Sequence, residues 1–71
     1  MANLTKNKAH IYAIRIGVRE IELKSCSDPT RKNELQDEIA KLVNQATEKY
    51  GPEAFFVIDE ELHKYLKTRG Y

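Results

Sequence analysis

The sequence has very little with which to build a covalent or metal-bound framework. Its 71 residues include one cysteine, Cys26, together with two histidines and no tryptophan. A single cysteine excludes an intrachain disulfide and any zinc site made of several thiolates, which is typical of proteins from a reducing compartment. Lys6 and Lys8 are not followed by an apolar run long enough for a signal peptide or a membrane span. We therefore expect a cytoplasmic protein.

The sequence also lacks a strong excess of charge of either sign. The net charge is +1, with 12 basic and 11 acidic residues, so the whole chain does not attract an anionic partner. Hydrophobic residues make up 41% of the chain, which favours an ordered globular protein over disorder. We predict a flexible N-terminal tail over residues 1–9 and one small domain over residues 10–71, near the lower size limit for a stable core.

Groups that could carry out catalysis are few and scattered. His10, Cys26 and His63 are not spaced as in any metal or nucleophile motif, and the three glycines are isolated from one another. The acidic run Asp59 to Glu61 is explained by helix capping and the helix dipole. We expect no enzymatic activity, no cofactor and no metal.

The apolar pattern of residues 11–23 changes phase near Gly17. Apolar residues occupy even positions before this point and odd positions after it, so one unbroken strand cannot place them on one face. A two-residue turn at Gly17 and Val18 removes the conflict, because a type II′ turn favours glycine at its first central position. We predict a β-hairpin of strands 11–16 and 19–24, with a bulge in one long strand as the alternative.

The next segment has the signals of an amphipathic helix. Asp28 can cap its start and Pro29 suits its first position, while Gly51 follows its end at Tyr50. Apolar residues recur between them at helical spacing. They are Leu35, Ile39, Leu42, Val43, Ala46 and Tyr50.

The apolar run Ala54–Ile58 is short and rich in β-forming residues, which favours a third strand. Asp59 would then cap a second helix that ends at Gly70. The predicted order is β-β-α-β-α. We expect an α+β two-layer sandwich in which a three-stranded sheet carries two helices on one face.

Such a sheet leaves apolar side chains on the face that no helix covers. A patch of this kind typically marks a protein contact. We therefore expect a non-enzymatic protein–protein interaction or regulatory protein that acts as a homodimer. The predicted contact residues are Ile11, Ala13, Phe55, Phe56, Val57 and Ile58.

The alternative function is a nucleic-acid-binding regulator. Its basic residues would come from the tail, the hairpin and the start of the first helix, although Glu20 and Glu22 interrupt the basic face. We expect no membrane partner. The candidate nucleic-acid contacts are Lys6, Lys8, Arg15, Lys24, Arg31 and Lys32.

Overall fold

A computed structural model describes residues 4–71, and this part of the chain is helical without any strand. The three helices are α1, Lys6–Ser25, α2, Pro29–Tyr50, and α3, Ala54–Thr68. The predicted α+β sandwich is therefore wrong. Both strands of the predicted hairpin belong to α1, and the predicted third strand belongs to α3.

Helix α1 begins inside the segment that we assigned to the tail. Thr5 caps it, because its hydroxyl oxygen accepts a hydrogen bond of 3.2 Å from the backbone N–H of Lys8. Ala9 in the first turns is fully buried. Residues 1–3 of the predicted tail lie outside the described residues.

The phase change near Gly17 follows from helical periodicity. Ala9, Ala13, Ile16 and Gly17 are the buried residues of α1, at spacings of four, three and one. Three of these four residues are small, so the buried stripe contains few of the large apolar side chains by which a helix is usually recognised. Apart from Ile16, the larger residues that suggested a hairpin lie around the rest of the helix.

Helix α2 matches the prediction at both ends. The Asp28 carboxylate accepts a hydrogen bond of 3.1 Å from the N–H of Thr30, and Pro29 occupies the first helical position. Gly51 follows the last residue with a φ of 91°, a backbone conformation that favours glycine. The sequence prediction of this helix is confirmed.

Helix α3 combines the predicted third strand and the predicted second helix. Ala54 and Ile58 are buried, and Leu62 continues their line at the same spacing of four residues. Asp59, which we expected to cap a helix, lies in the second turn of α3. Gly70 adopts a φ of 86° just beyond the end, as expected for a residue that terminates a helix.

Helix α1 lies between the other two and packs against both, whereas α2 and α3 contact each other over a smaller area. The molecule is flattened, with principal dimensions of 40 × 25 × 14 Å. Among residues 4–71, Leu35 is the only large side chain that is completely buried. The buried hydrophobic residues are Ala9, Ala13, Ile16, Leu35, Ala46, Ala54 and Ile58.

Gly17 brings α1 and α3 close together. A Cβ atom at this position would lie 2.6 Å from Cε2 of Tyr65, which is too close for any real contact. The absence of a side chain therefore allows the Tyr65 ring to pack on the α1 backbone. Among residues 4–71, no helix has the length and the apolar character needed to cross a membrane.

Candidate functional site: a groove between α2 and α3

The limited contact between α2 and α3 leaves a groove above α1. Ile16 and Glu20, one turn apart on α1, form its floor, and the other two helices form its walls. It encloses a cavity of about 180 Å³. The wall residues are Ile39, Val43, Ala46 and Thr47 of α2 and Phe55, Ile58, Asp59 and Leu62 of α3.

The α2 wall of the groove is apolar even at its polar residue. Thr47 donates its hydroxyl proton to the backbone carbonyl of Val43 at 2.8 Å, so this donor is already satisfied within the helix. No buried side-chain nitrogen or oxygen in the described part of the chain lacks a hydrogen-bond partner. The α2 wall thus offers apolar surface rather than unsatisfied polar groups for recognition.

Two phenylalanines lie at the end of the groove where α3 begins. Phe55 lines the groove with 49% of its surface exposed, and Phe56 is 74% exposed. Their rings pack edge to face, with centroids 6.2 Å apart. Exposed aromatic side chains beside a concave apolar surface are characteristic of protein-binding sites.

The groove also contains two carboxylates. Glu20 is half-buried and forms no ion pair with any residue of the described chain. Asp59 lies on the α3 wall, with Oδ2 3.8 Å from Nδ1 of His63. The site is therefore an apolar groove with one carboxylate on its floor and one on its α3 wall.

The structure separates the contact residues predicted from the sequence. Phe55 lines the groove with Phe56 beside it, Ile58 is a largely buried residue of the same wall, and Ala13 is buried in the core. Val57 is partly exposed beside Leu4 and Tyr50, outside the groove.

Ile11 belongs to a second exposed surface, which we name the back face of α1 and define by Ile11, Arg15 and Val18. Ile11 is 51% exposed and Val18 is 48% exposed. Five residues separate Ile11 from Ile16, which turns Ile11 about 140° around the helix from the groove floor. Ile11 therefore cannot share one contact surface with Phe55 and Phe56.

Arg31, a candidate nucleic-acid contact, is surrounded by carboxylates. Its guanidinium lies 2.7 Å from Glu22 on α1 and 3.1 Å and 3.4 Å from Glu34 and Glu38 on α2. Arg19 also reaches Glu38 at 3.3 Å. The hydrogen bond from Arg31 lowers the pKa of Glu22 below its ordinary value, and the same bond raises the pKa of Arg31. This network joins α1 to α2.

The other candidate nucleic-acid contacts do not form one patch. Lys8 and Lys24 are sixteen residues apart on α1, which places them about 24 Å apart along the helix. Lys8 lies 5.8 Å from the centre of the Tyr50 ring, and Lys24 lies 4.8 Å from that of Tyr71. Lys6, Arg15 and Lys32 are exposed at separate positions along α1 and at the start of α2.

The three groups that could have taken part in catalysis have other neighbours. Nδ1 of His10 lies 3.6 Å from Glu61, and His63 lies beside Asp59 on the same helix. Cys26 is a free thiol in the loop between α1 and α2, and its sulfur lies 3.6 Å from the carbonyl oxygen of Asp28. Within residues 4–71, no three histidine, cysteine or acidic residues converge to hold a metal ion.

Comparison with known proteins gives no relative from which a function could be transferred. No protein-family model, no curated protein and no solved structure matches this chain. Sequence reasoning missed most of the groove, including Glu20, Ile39, Val43 and Leu62 as neighbours. The helical spacing of Ile39 and Val43 on α2 was recognised. Because Ala54–Ile58 was assigned to a strand, the sequence did not indicate that α3 forms the second wall of the groove.

Proposed function

We propose that this chain is a non-enzymatic, cytoplasmic protein-binding module and that the α2–α3 groove is its binding surface. The observation that carries this proposal is the apolar groove itself, with Phe55 and Phe56 exposed at one end. A concave apolar surface next to exposed aromatic rings supplies the buried centre from which most interface energy arises. The single free thiol, Cys26, favours the cytoplasm.

The small core of the chain supports the same proposal. Four of the seven buried hydrophobic residues within residues 4–71 are alanines, and chains of this size bury a small fraction of their surface. Contact with a partner would cover Phe55 and the apolar walls around it. A homodimer, in which a second copy covers the groove, is one form of this proposal and was the form expected from the sequence.

A matched pair of variants tests the proposal. Phe55→Lys places a charge in the groove, and Val18→Lys places the same charge on the back face of α1 at almost equal exposure. Sedimentation velocity of the three proteins at high micromolar concentration detects self-association. Affinity capture from the source cells, followed by binding measurements with the purified partner, detects another protein.

The proposal predicts that wild type and Val18→Lys form the same complex and that Phe55→Lys loses it while remaining folded by circular dichroism. If Phe55→Lys retains every complex of the wild type, or if wild type forms neither a dimer nor a complex with a purified partner, the proposal is wrong.

Nucleic-acid binding remains the alternative proposal, with less support. Arg31 is held by three carboxylates, and Lys8 and Lys24 lie near opposite ends of α1. Titration with single-stranded and duplex oligonucleotides at low salt tests it, because phosphate contacts give an affinity that falls steeply with added salt.

A further inference from the structure

We propose that the groove binds an amphipathic α-helix from another protein and that this helix carries lysine or arginine beside its apolar stripe. The inference rests on the proposed function, since it names the partner of the same groove. Its three supports are the helical surroundings of the groove, the size of the cavity and the two carboxylates Glu20 and Asp59.

The arrangement of the three helices leaves a place for a fourth. Helices α2 and α3 both pack on α1 but contact each other little, so the surface between them presents two helical walls and an apolar floor. A helix laid between them would complete a four-helix arrangement. Helix-in-groove recognition of this kind uses apolar anchors at spacings of three and four residues.

The cavity has the size of a side-chain pocket. Its volume is about 180 Å³, and a buried apolar cavity of roughly 150 Å³ accepts a benzene molecule. One leucine or phenylalanine of the incoming helix would therefore fill it above Ile16. The flanking anchors of that helix would contact Val43 on one wall and Phe55 on the other.

The charges at the groove select a cationic partner. Glu20 has no ion-pair partner among residues 4–71, and Asp59 faces only His63. Nearby basic side chains are engaged elsewhere: Arg19 contacts Glu38, and Lys64 contacts Glu60 and Glu61. Lysine or arginine residues beside the incoming apolar stripe would meet these two carboxylates, one on α1 and the other on α3.

The same charges disfavour a second copy of this chain. A two-fold symmetric dimer places the same surface of both copies against itself. Two copies of Glu20 and two of Asp59 would then share one interface, and like charges brought together in this way weaken association. A helix with lysine or arginine beside its apolar stripe is instead attracted by these carboxylates, which favours association.

Two synthetic peptides of about 18 residues test the inference, both with leucine at positions i, i+3, i+4 and i+7. One has lysines beside the leucines, and the other has glutamates at the same positions. Their affinities are measured by isothermal titration calorimetry and their contacts by amide and methyl chemical-shift mapping. Because the net charge of the protein is only +1, its overall charge does not attract the lysine peptide.

We expect the lysine peptide to bind at least about tenfold more tightly than the glutamate peptide. Its largest shifts should fall on the groove, at Ile16, Val43 and Leu62. The double variant Glu20→Gln, Asp59→Asn should reduce the preference for lysine to about threefold or less. The control Asp37→Asn, Glu48→Gln, which removes one aspartate and one glutamate on the exposed side of α2, should retain it.

Other results would separate the two proposals. Equal binding of both peptides in the groove overturns the cationic partner but supports protein binding. If neither peptide binds, or if the shifts lie on the back face of α1, the helical partner is wrong. The proposed function then depends on the Phe55→Lys comparison, and a dimer lost in that variant would identify a second copy as the occupant.

Discussion

The α1–α3 interface and the α2–α3 groove show what residue size does to a pair of helices. Small residues of α1, Ala9, Ala13 and Gly17, are buried, and Gly17 lets the Tyr65 ring rest on the helix backbone. Branched and aromatic side chains, including Val43 and Phe55, instead face the space between α2 and α3. Small residues allow α1 and α3 to pack closely, whereas larger residues line the groove where α2 and α3 stay apart.

The difference explains how a chain with few large buried side chains can fold and still expose an apolar surface. The close α1–α3 contact fixes the position of α3, because the Tyr65 ring packs directly on the α1 backbone at Gly17. The remaining large apolar residues are then free to form a binding surface. Stability thus depends mainly on the α1–α3 interface, and binding depends on the α2–α3 groove. Substitutions at one interface should therefore affect one property more than the other.

Gly17→Val should have the largest effect on stability. Its Cβ would overlap the Tyr65 ring, and overpacking of this kind costs about 2 kcal/mol. Urea denaturation measures the loss. Arg15→Val on the back face of α1 is the control and should change the free energy of unfolding by less than about 0.5 kcal/mol. Equal stabilities of the two variants would show that the α1–α3 contact is not tight.

Val43→Leu should have a smaller effect of the opposite sign. The extra methylene enters the groove, and its burial adds up to about 0.8 kcal/mol to the free energy of unfolding. The same change should weaken binding of the lysine peptide because it fills the cavity. Val18→Leu, on the exposed back face, should change neither quantity. A destabilised Val43→Leu protein would mean that this space is already filled.

The third pair of helices, α1 and α2, should respond to pH through Glu22 and Arg31. Arg31 lowers the pKa of Glu22 in the folded protein below the ordinary 4.5. The contribution to stability is therefore present above about pH 4.5 and is lost as the pH falls through the folded-state pKa. Urea denaturation should show Arg31→Gln less stable than wild type at pH 7, and this difference should be smaller at pH 3. An equal difference at both pH values would contradict this assignment.

Phe56→Lys should have the smallest effect on folding. Because 74% of the side chain is already exposed, the free energy of unfolding should change by less than about 0.5 kcal/mol. Binding to the groove should nevertheless weaken, since an exposed aromatic ring at its end is replaced. Val57→Lys, outside the groove, is the comparison for binding. If Phe56→Lys unfolds the chain, the ring belongs to the core rather than to the binding surface.

The sequence predicted α2 because its signals agree with one another. Asp28, Pro29 and Gly51 mark the ends, and large apolar residues mark the buried side. No contact with another helix was needed to recognise these features, so local physical rules were sufficient.

Helix α1 and the first turn of α3 were missed because the pattern of their buried residues depends on the helices that pack against them. Ala13 and Gly17 indicate close packing only when a residue such as Tyr65 lies opposite, and isolated small residues did not outweigh the alternation around them. The Phe-Phe-Val-Ile run of α3 favours a strand by intrinsic preference, which packing overrides. Phe55 and Phe56 were among the contact residues predicted from the sequence, but as residues of a strand, and the groove beside them requires all three helices.

The most direct test of the closed α1–α3 interface and the open α2–α3 groove is nuclear magnetic resonance with a soluble paramagnetic probe, at a concentration where the protein is a monomer. We expect strong broadening of the Val43 and Ile39 methyl signals and protection of the Gly17 α-protons beneath Tyr65. Protection of the Val43 and Ile39 methyls equal to that of Gly17 would contradict it, because the groove would then be closed within the chain itself.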